Sequence, residues 1–192
     1  MLDLITKSKI RQKIILLFVY NPDKDYYLHE IARLVGSSAG TTQRELERLA
    51  ENGLLIQEKR GNSKYFKLNT NSAIFNDFKN IVDKTIGLEN ILKTTLEKAK
   101  NIDFAFLFGS YVKGDFGPDS DIDLYIIGNI EEKELHRLIK SVEEKIYREI
   151  NYHLCDKKEF QEKMKESFFH QEILQNFIII IGKENEFREF IK

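Results

Sequence analysis

The sequence predicts an α+β chain of two domains joined by a helical connector, on three observations. Three short helical stretches close on a basic β-hairpin within residues 1–70. Residues 101–192 instead alternate apolar, strand-like runs with amphipathic helices. The charge divides along the same line. Residues 1–70 carry twelve Lys and Arg against eight Asp and Glu, and residues 71–192 carry eighteen against twenty-three. A basic front and an acidic back, in a chain whose net charge is only −1, point to two units with different partners.

With 192 residues and 42% hydrophobic content, two small domains can each bury a core. Cys155 is the only cysteine, which excludes an internal disulfide and fits a reducing compartment. The longest apolar runs, Ile14–Tyr20 and Phe177–Ile181, are too short to span a bilayer. Met1–Ser8 shows no signal-peptide pattern. The expectation is a cytoplasmic protein with no membrane partner.

Leu4 to Tyr20 has helical spacing, with Ile10, Ile14, Leu17 and Phe18 on one side, and "NPDKD" breaks it at Asn21–Asp25. In "YLHEIARLVG", Leu28, Ile31, Ala32 and Val35 fall on one helical face and Gly36 ends the run. "SSAGTTQRELERLAENG" opens on cap residues and closes at Asn52-Gly53. Leu46, Leu49 and Ala50 form its apolar stripe, with Thr41, Arg44 and Arg48 opposite and Gln43 beside them. Two β-type runs then flank Gly61-Asn62, a pair able to take the positive φ of a tight hairpin turn. Lys59, Arg60 and Lys64 make that turn basic.

Three helices and a basic hairpin over residues 8–69 resemble a winged helix-turn-helix. The resemblance implies double-stranded DNA as a partner and a homodimer on two half-sites. Thr41, Gln43, Arg44 and Arg48 would reach base edges in the major groove, and Lys59, Arg60 and Lys64 would neutralise phosphates. Helix-helix-hairpin units also serve as protein-interaction modules, and Glu45, Glu47 and Glu51 beside the arginines suit an ordinary solvated face.

Residues 71–100 read as a connector helix that Gly87 bends. Beyond it, Phe104–Phe108 and Asp121–Ile127 are strands, Glu131 to Arg148 a helix, and Glu149–Cys155 a third strand. Lys157 to Gln175 is helical with a break near Ser167, and Phe177–Ile181 is a last strand.

The chemistry concentrates in "FGSYVKGDFGPDSDIDL", Phe108–Leu124. A strand runs into Gly109-Ser110, where glycine admits a phosphate close to the backbone and helix-start N–H groups favour an anion. Ser110 adds a hydroxyl, Lys113 a cation within one turn, and Ser120 a second hydroxyl ahead of the next strand. On that strand Asp121 and Asp123 share a face, because side chains alternate. Two close carboxylates repel, and oxygen ligands of this kind suit Mg²⁺ or Mn²⁺. Phosphate on one side and a carboxylate-held metal on the other is a setting for phosphoryl or nucleotidyl transfer.

A Gly-Ser pair, ten residues, then Asp-x-Asp between apolar residues resembles the DNA polymerase β-type nucleotidyltransferase superfamily, in its minimal branch. The resemblance implies a mixed sheet, a bound nucleoside triphosphate held by Gly109 and Ser110, and metal on Asp121 and Asp123. It also implies a third carboxylate on the next strand, where this chain has Asn151. An amide binds metal weakly and is no general base. Glu149 and His153 lie on the same strand face, and Glu149, Asp119 or the substrate itself are the alternative bases.

Two functions follow from the sequence. The leading one is a DNA-binding transcriptional regulator whose second domain binds a nucleoside triphosphate and a divalent cation. The alternative is an active Mg²⁺-dependent nucleotidyltransferase, moving a nucleoside monophosphate to a hydroxyl of a protein acceptor or small molecule. A role as an antitoxin-like partner of a small helical protein falls under that alternative.

Overall fold

The computed structural model describes residues 6–117 and 120–192, so the first five residues and Asp119 lie outside it. The described chain divides into two compact units, residues 1–90 with 145–147 and residues 91–144 with 148–192.

The first unit begins with α1 (Lys9–Val19), whose start is set by Ser8: its hydroxyl accepts from the Arg11 backbone N–H at 3.2 Å. Strand β1 (Tyr26–Tyr27), which the sequence pattern did not suggest, leads into α2 (Leu28–Val35). Gly36, at φ 67°, stops α2 in the left-handed region. Ser38 caps α3 (Ala39–Glu51), as the cap-rich opening of that segment predicts. The three helices pack on one another and bury Ile14, Leu17, Ile31, Val35 and Leu46. A hairpin of β2 (Leu55–Arg60) and β3 (Ser63–Leu68) follows, turning at Gly61 with φ 59°. β1 adds to the far edge of β3, giving the order β1-β3-β2.

The expected single connector is two helices, α4 (Phe75–Thr85) and α5 (Leu88–Leu96). The break has a packing cause. Buried Tyr20 donates its hydroxyl to Asp83 and accepts from the Leu88 N–H at 2.5 Å. A Cβ at residue 87 would fall on that hydroxyl and on the α4 backbone, so only glycine fits.

The second unit is built on a mixed four-stranded sheet in the order β6-β5-β4-β7. The strands are β4 (Ile102–Phe108), β5 (Ile122–Gly128), β6 (Ile150–Cys155) and β7 (Ile178–Ile181). β5 and β6 are parallel, joined through α7 (Glu132–Ile146), and the other pairs are antiparallel. Strand alternation sends Phe104, Phe106, Phe108, Tyr125, Ile127 and Cys155 to one face. There they form an aromatic core with Phe160 of α8 (Lys157–Glu166), Ile173 of α9 (Phe168–Ile173) and Phe187 of α10 (Glu184–Phe190). The α8–α9 break falls at Ser167, as expected, whereas α10 is an addition to the sequence pattern. Ala105, Leu107, Leu124 and Ile126, on the opposite face, are equally buried, so both faces of the sheet are covered. Cys155 is a buried core residue.

Candidate functional site

The same aromatic face carries the candidate site at its open end. Strand register sets Phe108 opposite Asp123 and Asp123 beside Asn151. The next row inward is Phe106, Tyr125 and His153. Polar groups therefore begin where the aromatic core stops. Asp121, exposed just before β5, and Glu149, exposed just before β6, extend the two strands outward. Glu149 ties in through its backbone, whose carbonyl accepts from the Ile122 N–H at 3.2 Å.

Gly109, Lys113, Asp123 and Asn151 line one pocket of about 250 Å³, along with Phe108, His153, Phe169, Glu172, Ile173 and Asn176. Gly109 is essential to the shape. Its φ of 74° and ψ of −152° are open only to glycine, and a Cβ there would fall on the Asp123 Oδ2. The backbone thus comes directly against the carboxylate. The helix after it, α6 (Ser110–Lys113), is a single turn closed by Gly114. The anion-attracting helix start expected from the sequence is therefore reduced to the N–H groups of one turn, because a macrodipole needs length.

Burial is the main force raising the Asp123 pKa above the ordinary carboxylate value. The Asn151 amide, donating to Asp123 Oδ1 at 3.4 Å, lowers it, and the Asp121 charge raises it again. Asp123 is thus half-buried, with a weak amide contact at its Oδ1. Among the described residues no three His, Cys, Asp or Glu side chains converge to hold a metal. Two carboxylates on oxygen-only chemistry still fit Mg²⁺, which commonly takes one or two protein carboxylates and completes its shell with water and substrate phosphates.

The remaining expected residues are placed as follows. Lys113 pairs with Glu172 of α9 at 3.3 Å across the pocket rim. Ser120 accepts from the Gly117 N–H at 3.1 Å, so its hydroxyl shapes its own loop. In the first unit, Arg44 and Arg48 are exposed on α3, while Thr41 is half-buried and Gln43 donates to Glu47 at 2.8 Å. Lys64 pairs with Glu47 at 2.9 Å, Arg60 pairs with Asp25 and Glu58, and Lys67 pairs with Glu58 at 2.6 Å. Lys59 is exposed on β2.

Sequence reasoning missed two parts of the site. Buried Arg148 donates through Nε to the Ser120 carbonyl at 2.9 Å and through Nη2 to the Ser120 and Gly117 carbonyls. Its guanidinium also lies 4.7 Å over the Phe116 ring. It staples the loop that delivers Asp121 and Asp123 to the start of β6. A lone arginine after a helix gives no local signal of this. Phe169 is the second, and it did leave a trace: adjacent phenylalanines on a polar helix cannot both face the core. Phe168 is 80% and Phe169 41% exposed.

Solved structures similar to the chain include three toxin–antitoxin complexes. A toxin–antitoxin with AMP-PNP is 16% identical, at a TM-score of 0.41, covering 54% of this chain and 80% of that one. The complex MntA–HepT is 13% identical, at 0.36, covering 54% and 77%. The tri-AMPylated HEPN toxin of Shewanella oneidensis with its MNT antitoxin is 11% identical, at 0.35, covering 54% and 81%. Similarities of this size identify no activity. No curated protein matches the chain. Residues 88–180, which hold the Gly109-Ser110 turn, both aspartates and Asn151, match the family model of the nucleotidyltransferase domain.

Proposed function

We propose that the second unit is a Mg²⁺-dependent nucleotidyltransferase that moves a nucleoside monophosphate from a triphosphate to a hydroxyl of a protein or small molecule. The observation that carries this is the half-buried Asp123 pressed against the Gly109 backbone, with the Asn151 amide beside it, inside a family-matched segment. Asp121 and Asp123 would hold the divalent cation, which when bound screens the triphosphate and favours the ionised acceptor hydroxyl. The turn at Gly109-Ser110 presents backbone N–H groups and a hydroxyl to the phosphates. The acceptor oxygen forms a bond to the α-phosphorus, the bond from that phosphorus to the bridging oxygen breaks, and pyrophosphate leaves. The acceptor's proton needs a base, and Asn151 is not one. Glu149 takes that role in this proposal, since it precedes Ile150 as Asp121 precedes its register partner Ile122, and it is exposed to an incoming acceptor.

Pyrophosphate release from ATP with Mg²⁺ and a cell-extract acceptor tests the proposal. Product formation that Asp123→Asn abolishes supports it. Absence of pyrophosphate with all four nucleotides and either Mg²⁺ or Mn²⁺ overturns it.

A second reading belongs to the first unit. Its α2–α3 pair and hairpin support a winged helix-turn-helix binding duplex DNA, as a homodimer, through exposed Arg44 and Arg48 on α3 and Lys59 on the hairpin. The carboxylate partners of Arg60 and Lys64 weaken that case, because those charges are already matched. A mobility shift at low salt, lost in Arg44→Ala with Arg48→Ala, is its test.

A further inference from the structure

We infer that the wall made by Phe169 and His153 is a nucleobase platform, and that it holds the base of the triphosphate while the phosphates lie at the Gly109 turn. The inference rests on the nucleotidyltransferase reading of the pocket. Four observations carry it. Phe108, His153 and Phe169 line the same pocket as Gly109 and Asp123, so the aromatic surface is continuous with the glycine turn and the carboxylate. Phe169 keeps 41% of its surface exposed, whereas its neighbours His170 and Ile173 are each only 7% exposed. The ring also packs on two others. His170, next to it on α9, bonds through Nε2 to the buried Tyr125 hydroxyl at 3.0 Å, and Phe169 meets His153 at 5.6 Å and Phe108 at 5.9 Å between centroids. His153 in turn stacks on Tyr125, tilted by only 18°.

Size supports the same assignment. About 250 Å³ is below the roughly 300–1,000 Å³ of pockets that enclose whole drug-sized ligands, so it takes a base at its aromatic wall and encloses the rest of the nucleotide only partly, at the Gly109 side. A planar base stacks on an aromatic face whatever its identity, and a purine covers more of it than a pyrimidine. Asn176 and Asn151 at the pocket wall offer both donors and acceptors to a base edge. Glu172, held by Lys113, stands at the rim.

The test compares ATP, CTP and inorganic tripolyphosphate by calorimetry on the full chain with Mg²⁺. The expected result is ATP tighter than tripolyphosphate by about 5- to 150-fold, the range of one base–aromatic stack, with CTP between them. Phe169→Ala should bring ATP to the level of tripolyphosphate without changing tripolyphosphate itself, and Phe169→Trp should restore the difference. Equal binding of ATP and tripolyphosphate to the unaltered chain overturns the platform but leaves the nucleotidyltransferase reading standing. Binding of neither overturns both. Loss of tripolyphosphate binding in Phe169→Ala marks a structural role and also overturns the platform.

Discussion

The hairpin of the first unit and the open end of the second unit's sheet treat charge in opposite ways. On the hairpin and α3, carboxylates sit against cations: Lys64 holds the Glu47 pKa below its ordinary value, and Lys67 with Arg60 does the same for Glu58. At the sheet end, burial pushes the Asp123 carboxyl the other way, and its nearest polar partner is an amide. Matched surface charges contribute little and attract little. A half-buried carboxylate whose hydrogen-bond partner is a neutral amide costs free energy until a cation arrives. The difference is why the second unit, and not the more basic first one, is the better candidate for a ligand site.

The sharpest way to break the comparison is to remove the Asp123 charge. Asp123→Asn should lower nucleotidyl transfer by about 10³-fold, the several kcal/mol of charge stabilisation assigned to a metal. The same change should raise thermal stability without metal while erasing the stabilisation by Mg²⁺ or Mn²⁺, read by calorimetric melting. A variant that melts lower in the absence of metal and still responds to Mg²⁺ contradicts this account of the site.

Next in size is the loop staple. Arg148→Met leaves the Ser120 and Gly117 carbonyls without their buried donor and should cost about 3 kcal/mol in chemical denaturation, at about 1–3 kcal/mol per orphaned group. Gly109→Ala should cost about 2 kcal/mol, from a backbone region worth about 1–3 kcal/mol to a non-glycine residue. It should also displace the Asp123 carboxylate, so Mg²⁺-dependent nucleotide binding falls by more than stability alone explains.

The acid limb sharpens the comparison further. Folding raises the Asp123 pKa above the ordinary carboxylate value, so the folded chain holds that proton where the unfolded chain has lost it. Its contribution to stability is full below the unfolded value and is lost as pH rises through the folded one. Cation binding has the opposite slope and weakens as pH falls. Melting curves with and without Mg²⁺ should converge in acid, and Asp123→Asn should flatten both. The smallest effect belongs to the hairpin. Glu47→Gln with Glu58→Gln frees Lys64 and Lys67 and leaves Arg60 on Asp25 alone, and should raise any DNA affinity a few-fold while steepening its salt dependence.

Much of the second unit was legible in the sequence because its signals are local. Strand alternation sets Asp123 apart from buried Ile122 and Leu124, a glycine before a short turn marks close backbone approach, and Ser167 ends one helix and opens another. The three helices and the Gly61 turn of the first unit are legible for the same reason. The two-residue β1 and the closing α10 were not, since each is held by tertiary partners: β1 by β3, and α10 by the aromatic core that takes in Phe187.

The sequence alone determined that a glycine turn precedes two alternating aspartates at the head of a strand, because spacing along a strand and the freedom of glycine are properties of a few adjacent residues. Only the tertiary structure decided what those aspartates meet. Parallel pairing of β5 with β6 brings Asn151, 28 residues away, against Asp123. Arg148 reaches back to the Ser120 loop, and α9 turns Phe169 toward the same pocket. Likewise, it was folding that brought Glu47 to Lys64 and so matched a charge the sequence had offered to DNA. The energy of a charge depends on what surrounds it in space, and composition does not record that.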